Sequence, residues 1–175
     1  MKVLIIGGVA AGTKTAAKLK RENRSIDVTL ITKDKDISYA GCGLPYYVGG
    51  LIEEPGELIV NTPQKFAALT GVTVYTGREA VKLDSAAKTV QAKNLENGEM
   101  ETYDRLVIAV GASAAVPPVD GMDKTGVFKM RTPEDAVTMR SYIEENNVKK
   151  AVVIGAGFIG LEVAENLKAQ GISVT

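Results

Sequence analysis

The feature that most constrains this chain is the six-residue pattern Gly155-Ala156-Gly157-Phe158-Ile159-Gly160, set between the apolar run at residues 151–154 and a helical stretch containing Leu161, Val163 and Ala164. A buried strand that turns through glycine directly into a helix leaves unpaired amide groups at the helix start. There the helix dipole favours a bound pyrophosphate. The complete glycine spacing, with a strand before it and a helix after it, predicts a dinucleotide cradle at Gly155, Gly157, Phe158, Ile159 and Gly160.

A second pattern of the same kind opens the chain. The continuous apolar run at residues 2–6 reads as a strand buried on both faces. It leads into Gly7-Gly8-Val9-Ala10-Ala11-Gly12 and then into a helix over residues 10–22. Gly7 permits the tight turn and Gly12 close packing of helix on strand, while Val9 replaces the middle glycine. Ala10, Ala16 and Ala17 are small enough to pack on a sheet. A strand at residues 28–31 completes a βαβ unit. The position about 20 residues after the loop, where an acidic side chain commonly binds a ribose hydroxyl, holds Thr32, with Lys33 and Asp34 beside it. Threonine can hydrogen-bond there but lacks the bidentate grip of a carboxylate.

Between the two loops, Thr62-Pro63 predicts a helix start and Gly71 its stop. Four short alternating stretches at residues 72–75, 79–83, 89–93 and 99–103, with Asn97-Gly98 as a hairpin turn, predict a small antiparallel meander. A strand at 105–110 ends at Gly111, and the proline-bearing stretch after it marks a domain boundary. A second Thr-Pro pair opens a helix over about 133–146, and Gly171 closes the helix that follows the second glycine loop. The expected fold class is α/β: a Rossmann-like parallel sheet with an antiparallel meander, over residues 1–117, then the beginning of a second Rossmann-like domain over 118–175. The strand that opens at Ile172 leaves the second unit unfinished at Thr175. The chain is therefore expected to be the N-terminal part of a longer protein.

Composition removes several classes of function. Twenty-one basic and 21 acidic residues balance, so nothing draws the chain to nucleic acid or anionic lipid. The glycines within residues 3–12 argue against a signal peptide, and no apolar run has transmembrane length, so no membrane partner and a cytoplasmic location are expected. Histidine is absent, which excludes a His-based triad or a His-containing metal site in this segment, and no metal is expected. One cysteine, Cys42, forms no internal disulfide and is a buried small residue, a chance thiol or a functional one. Its setting, Ser38-Tyr39-Ala40-Gly41-Cys42-Gly43-Leu44-Pro45-Tyr46, suits a loop entering a short helix, with flanking glycines that allow close approach to the thiol.

Two glycine loops about 150 residues apart, with YDRLVIAVGAS between them, resemble the pyridine nucleotide-disulfide oxidoreductases over essentially the whole chain. The resemblance implies FAD in the first domain, bound at Gly7, Gly8, Val9, Ala10, Ala11, Gly12, Thr32 and Lys33. It places Ala80 and Val81 near the adenine, and Ala109 and Gly111 near the flavin nucleotide. NADH or NADPH is implied at the second loop, whose ribose-reading residue lies beyond Thr175. Dithiol members of the family carry two cysteines four residues apart. The Ser38-to-Tyr46 stretch instead looks like the single-cysteine branch, which includes coenzyme A-disulfide reductases, NADH oxidases, NADH peroxidases and persulfide reductases. In that branch the cysteine faces the flavin and cycles as a mixed disulfide, persulfide or sulfenic acid. Cys42 and Ser38 are then the catalytic residues.

The implied activity is reduction of a small disulfide or persulfide by NAD(P)H through FAD and Cys42, with peroxide or dioxygen as alternative acceptors. A rival is an electron-transfer flavoprotein resembling ferredoxin and rubredoxin reductases, in which Cys42 is incidental. Lys14, Lys18 and Arg21 share one helix face and would meet the charged nucleotide of coenzyme A, or else form a solvated surface. Gly41 stands where the branch commonly has asparagine, which weighs against coenzyme A. The full-length protein is expected to be a homodimer, and this segment alone inactive.

Overall fold

The computed structural model describes residues 1–93 and 100–175. In chain order the elements are β1 (Lys2–Ile6), α1 (Ala10–Glu22), β2 (Asp27–Ile31), a 3₁₀ turn (Gly41–Gly43), α2 (Leu44–Val48), a second 3₁₀ turn (Pro55–Leu58), α3 (Pro63–Thr70), β3 (Thr73–Tyr75), β4 (Ala80–Asp84), β5 (Thr89–Ala92), β6 (Met100–Thr102), β7 (Arg105–Ile108), α4 (Pro133–Glu145), β8 (Lys150–Ala151), α5 (Phe158–Ala169) and β9 (Ser173–Val174). They form two compact units. One comprises Met1–Tyr39 with Ile59–Ala112, the other Ala40–Leu58 with Ser113–Thr175.

The first unit is built on a parallel sheet of order β3-β2-β1-β7. The apolar run of β1 is continuous because both of its faces are covered. Val3 and Ile5 join Val28, Leu30, Ala16, Ile37, Phe66 and Val72 in the core on the side of α1 and α3. Leu4 faces the other way, with Ile31, Val90 and Ala92 beneath the antiparallel sheet β4-β5-β6. Ala16 is fully buried as its size predicts, whereas Ala10, at the helix start, is exposed. Helix α3 has the predicted ends: the Thr62 hydroxyl accepts from the Lys65 amide, and Gly71 closes it in the left-handed conformation at φ 73°.

One expectation is corrected. The stretch at 72–75 does not join the meander, because β3 pairs in parallel with β2, with Thr73 opposite Thr29 and Tyr75 opposite Ile31. A helix intervenes between β2 and β3, and such a crossover returns the chain in the parallel sense. The remaining stretches do pair antiparallel, with an irregularity in β4 between Ala80 and Lys82. The Asn97-Gly98 turn lies outside the described residues.

In the second unit, β8 and β9 pair in parallel on either side of α5. β8 is shorter than the expected strand, although the Val153 amide still donates to the Thr175 carbonyl at 2.9 Å. Thr132 and Asp135 form a reciprocal capping box that fixes the start of α4. The excursion at residues 40–58 has its ends drawn together by the Ala40 amide, which donates to the Leu58 carbonyl at 2.7 Å. It packs here through Leu44, Tyr47, Val48 and Leu58, against Ala136, Met139, Val163 and Leu167.

Candidate active site

The two glycine loops share one local construction. Gly7 has φ +111° and Gly155 φ +114°, values open to glycine alone at little cost. A Cβ on Gly12 would lie 1.8 Å from the Gly7 carbonyl oxygen, and one on Gly160 would lie 2.0 Å from that of Gly155. The last glycine of each loop therefore exists to let the helix pass over the first glycine's carbonyl. Each helix then opens with an equivalent bond, Thr13 to Val9 at 3.1 Å and Leu161 to Gly157 at 3.0 Å.

The middle position differs. Gly157 has φ −79°, which any residue adopts, and a Cβ there would meet nothing within 4 Å. Neither backbone nor packing requires glycine at 157. The open volume beside its backbone is the space a phosphate group needs, so these residues fit a bound pyrophosphate. In the first loop the same position carries Val9, which is half-buried.

Folding brings distant candidates to the first loop. A Cβ on Gly7 would lie 2.1 Å from the Ala109 carbonyl oxygen, so the chain leaving β7 crosses the loop there, and one on Gly8 would meet Ile37 and Thr32. The Ser38 amide donates to the Gly8 carbonyl at 2.9 Å, and Ser38 itself sits at φ 51°, in the left-handed region that non-glycine residues rarely occupy. Thr32 is buried and Lys33 exposed; Ala80 is half-buried, Val81 and Gly111 exposed, and Gly111 has φ +69°. Lys14, Lys18 and Arg21 lie exposed along α1, with Lys18 paired to Glu22. At the second loop Phe158 and Ile159 are exposed.

Cys42 occupies the 3₁₀ turn before α2 and is exposed, so the buried-residue alternative is removed. Its two glycines have different causes. A Cβ on Gly41 would meet nothing within 4 Å, leaving that side of the thiol open. Gly43 is buried, and a Cβ there would press on Leu58 at 3.0 Å and Ile52 at 3.2 Å. Only Gly41 supplies the approach that the sequence assigns to both. Sequence reading also missed the side chains that bond the carbonyls at and beyond the C-terminal end of α2, above all Arg140, whose partners lie some 90 positions away and leave no local signal.

Among the described residues, no group of three His, Cys, Asp or Glu side chains is placed to hold a metal ion, and no helix is long and apolar enough to cross a membrane.

Comparison with known proteins gives the family. The chain is 39% identical over 175 residues to an NADH oxidase of Methanocaldococcus jannaschii, covering 99% of this chain and 39% of that protein. It is 35% identical over 176 residues to a coenzyme A disulfide reductase of Staphylococcus haemolyticus, again over 99% of this chain and 39% of the relative. Among solved structures, an NAD-dependent persulfide reductase from A. fulgidus matches with a TM-score of 0.93 and 40% identity, over 99% of this chain and 33% of that one. The chain thus spans about two fifths of the curated relatives' length. With the family's sequence model matching residues 1–175, this Rossmann-like α/β chain belongs to the pyridine nucleotide-disulphide oxidoreductases.

Proposed function

We propose that this chain carries the nucleotide-binding and thiol parts of an FAD- and NAD(P)H-dependent reductase of small disulfides or persulfides. The observation that carries the reading is one exposed thiol, open on its Gly41 side, in a chain with two glycine loops of matching geometry. Residues 1–117 would hold FAD. The first-turn amides of α1 at Ala10, Ala11 and Gly12 would face its pyrophosphate, Thr32 and Lys33 its ribose, Ala80 and Val81 its adenine, and Ala109 and Gly111 its flavin side. Residues 118–175 would begin the NAD(P)H domain, with Gly157 admitting the second pyrophosphate. When bound, FAD supplies two-electron transfer between a nicotinamide and a thiol-disulfide centre.

The Cys42 thiolate attacks one sulfur of a disulfide RSSR, forming the mixed disulfide Cys42–S–S–R and releasing RS⁻. Two electrons from NAD(P)H and a proton then cleave that bond, returning the Cys42 thiolate and releasing RSH. Across the cycle NAD(P)H is oxidised and RSSR is reduced to two thiols. Lys14, Lys18 and Arg21 would receive the phosphates of a coenzyme A disulfide, and the full-length protein would act as a cytoplasmic homodimer. Ser38, whose amide donates to the Gly8 carbonyl, would be a further catalytic residue.

The test is Cys42→Ser in the full-length protein: disulfide turnover is expected to vanish, and undiminished turnover overturns the proposal. A second reading, reduction of peroxide or dioxygen, is favoured by the similarity to an NADH oxidase. It predicts sulfenic acid at Cys42 and some surviving oxidase activity in the serine variant. A thiolate-to-flavin charge-transfer band on partial reduction would separate both from an electron-transfer flavoprotein, which needs no such thiol.

A further inference from the structure

Helix α2 has five residues, too few to hold its conformation unaided. Backbone amides reach only part of its C-terminal end, Gly49 to the Pro45 carbonyl, Leu51 to that of Tyr46 and Gly50 to that of Tyr47. Side chains from α4 and from the C-cap of α5 add bonds to the carbonyls of Tyr47, Val48, Ile52 and Glu53. The Arg140 Nη1 donates to the carbonyls of Tyr47 at 3.2 Å, Ile52 at 3.0 Å and Glu53 at 3.1 Å. Its guanidinium carbon lies 4.8 Å from the centre of the Tyr47 ring, and its Nε donates to Glu144 at 2.9 Å. Gln170 Nε2 donates to the Val48 carbonyl at 2.5 Å, and Asn166 fits so closely that a Cβ on Gly49 would lie 2.2 Å from its Oδ1.

At the other end of α2, the Cys42 turn is closed by backbone bonds, Gly43 to Ala40 at 2.9 Å and Leu44 to Gly41. The presentation of the exposed thiol is thus inherited from the backbone, and the backbone is fixed by what grips α2. Arg140 makes the most of these contacts. Hydrogen bonds from a charged donor are about twice as strong as neutral ones. The Glu144 carboxylate, by bonding the guanidinium, raises its pKa further, so the donor is charged at every working pH.

We propose that Arg140 is a positioning residue for Cys42: through the carbonyls of Tyr47, Ile52 and Glu53 it sets the turn in which the thiol is presented. The proposal rests on the reading of Cys42 as the redox thiol. Arg140→Lys keeps the charge and the stem over Tyr47 but loses the planar donor fork.

The first readout is amide hydrogen exchange on this chain. Residues 47–53 in Arg140→Lys are expected to exchange roughly tenfold faster, in keeping with loss of a charge-assisted bond. Amides of β1 and β2 should stay unchanged, and a surface variant on the same helix, Glu145→Gln, should exchange like the parent. The second readout is the full-length FAD-loaded protein with cystamine as the disulfide: kcat should fall roughly tenfold while KM for NAD(P)H stays within about twofold.

Unchanged exchange at 47–53 overturns the proposal. So does faster exchange with unchanged kcat, because the clamp would then be structural only. Should Arg140→Lys fail to fold, as protection lost throughout α4 and α5 would report, Gln170→Ala removes the neighbouring contact to Val48 and is held to the same outcomes at a smaller amplitude. If Cys42→Ser leaves disulfide turnover intact, the function proposed above falls. The exchange arm alone then decides whether Arg140 holds the turn.

Discussion

Two glycines of one loop, three positions apart, should fail in different ways. In Gly160→Ala the new methyl lies 2.0 Å from the Gly155 carbonyl oxygen, and real Cβ atoms essentially never approach within 3.0 Å. The obstacle is backbone, so α5 and the loop must separate by at least about 1 Å, an overpacking that costs about 1–3 kcal/mol or somewhat more. For a chain of this length each kcal/mol lowers Tm by about 2–4 °C, which gives a drop of roughly 2–12 °C. In Gly157→Ala the methyl meets nothing within 4 Å and φ is ordinary, so stability should change by less than about 0.5 kcal/mol. That same methyl occupies the volume assigned to a pyrophosphate, so the cost should appear in nucleotide affinity instead. Thermal unfolding followed by circular dichroism reads the first effect, and calorimetric titration of the full-length protein with NADH and NADPH reads the second. Equal loss of Tm in both variants would refute the assignment of Gly157 to a ligand, as would Gly157→Ala binding nucleotide like the parent.

Two further outcomes test the first unit. Leu4→Ala, at a side chain with no exposed surface between β1 and the antiparallel sheet, should cost about 2–5 kcal/mol in denaturant unfolding, and a loss under about 1 kcal/mol would contradict that placement. Asp104 accepts the Lys2 amide at 2.6 Å, and chiefly for that reason its carboxyl titrates below the ordinary 3.8. A depressed folded pKa contributes stability above the unfolded value and loses it as pH falls through the folded one. The Tm difference between the parent and Asp104→Asn should therefore be constant near neutrality and disappear in strong acid; a pH-independent difference would refute the linkage.

What could be read from the sequence was whatever local chemistry decides. Thr62-Pro63 and Gly71 specify the ends of α3 because a cap and a left-handed stop are properties of adjacent residues. The glycine loops were legible for the same reason: each first and last glycine answers a backbone demand within six positions. β3 was assigned to the wrong sheet because three residues carry period-two alternation but no information on which strand lies beside them. The two glycines around Cys42 look equivalent in sequence, yet Leu58 and Ile52 close over one and leave the other free. Arg140 was invisible altogether, since an arginine on a polar helix face has no pattern that marks three carbonyls near residue 50 as its partners.

The solitary exposed thiol also makes the molecule its own instrument. With one cysteine among 175 residues, a fluorophore attaches at a single defined point without any engineering of the sequence. α5 runs from the Gly157 cap to Asn166 and Gln170, a rod of about 18 Å at 1.5 Å per residue, and its far end grips the segment that bears the dye. A change in emission on adding nucleotide would register occupancy of the glycine loop optically, and the lag between mixing and signal would time how fast that rod responds.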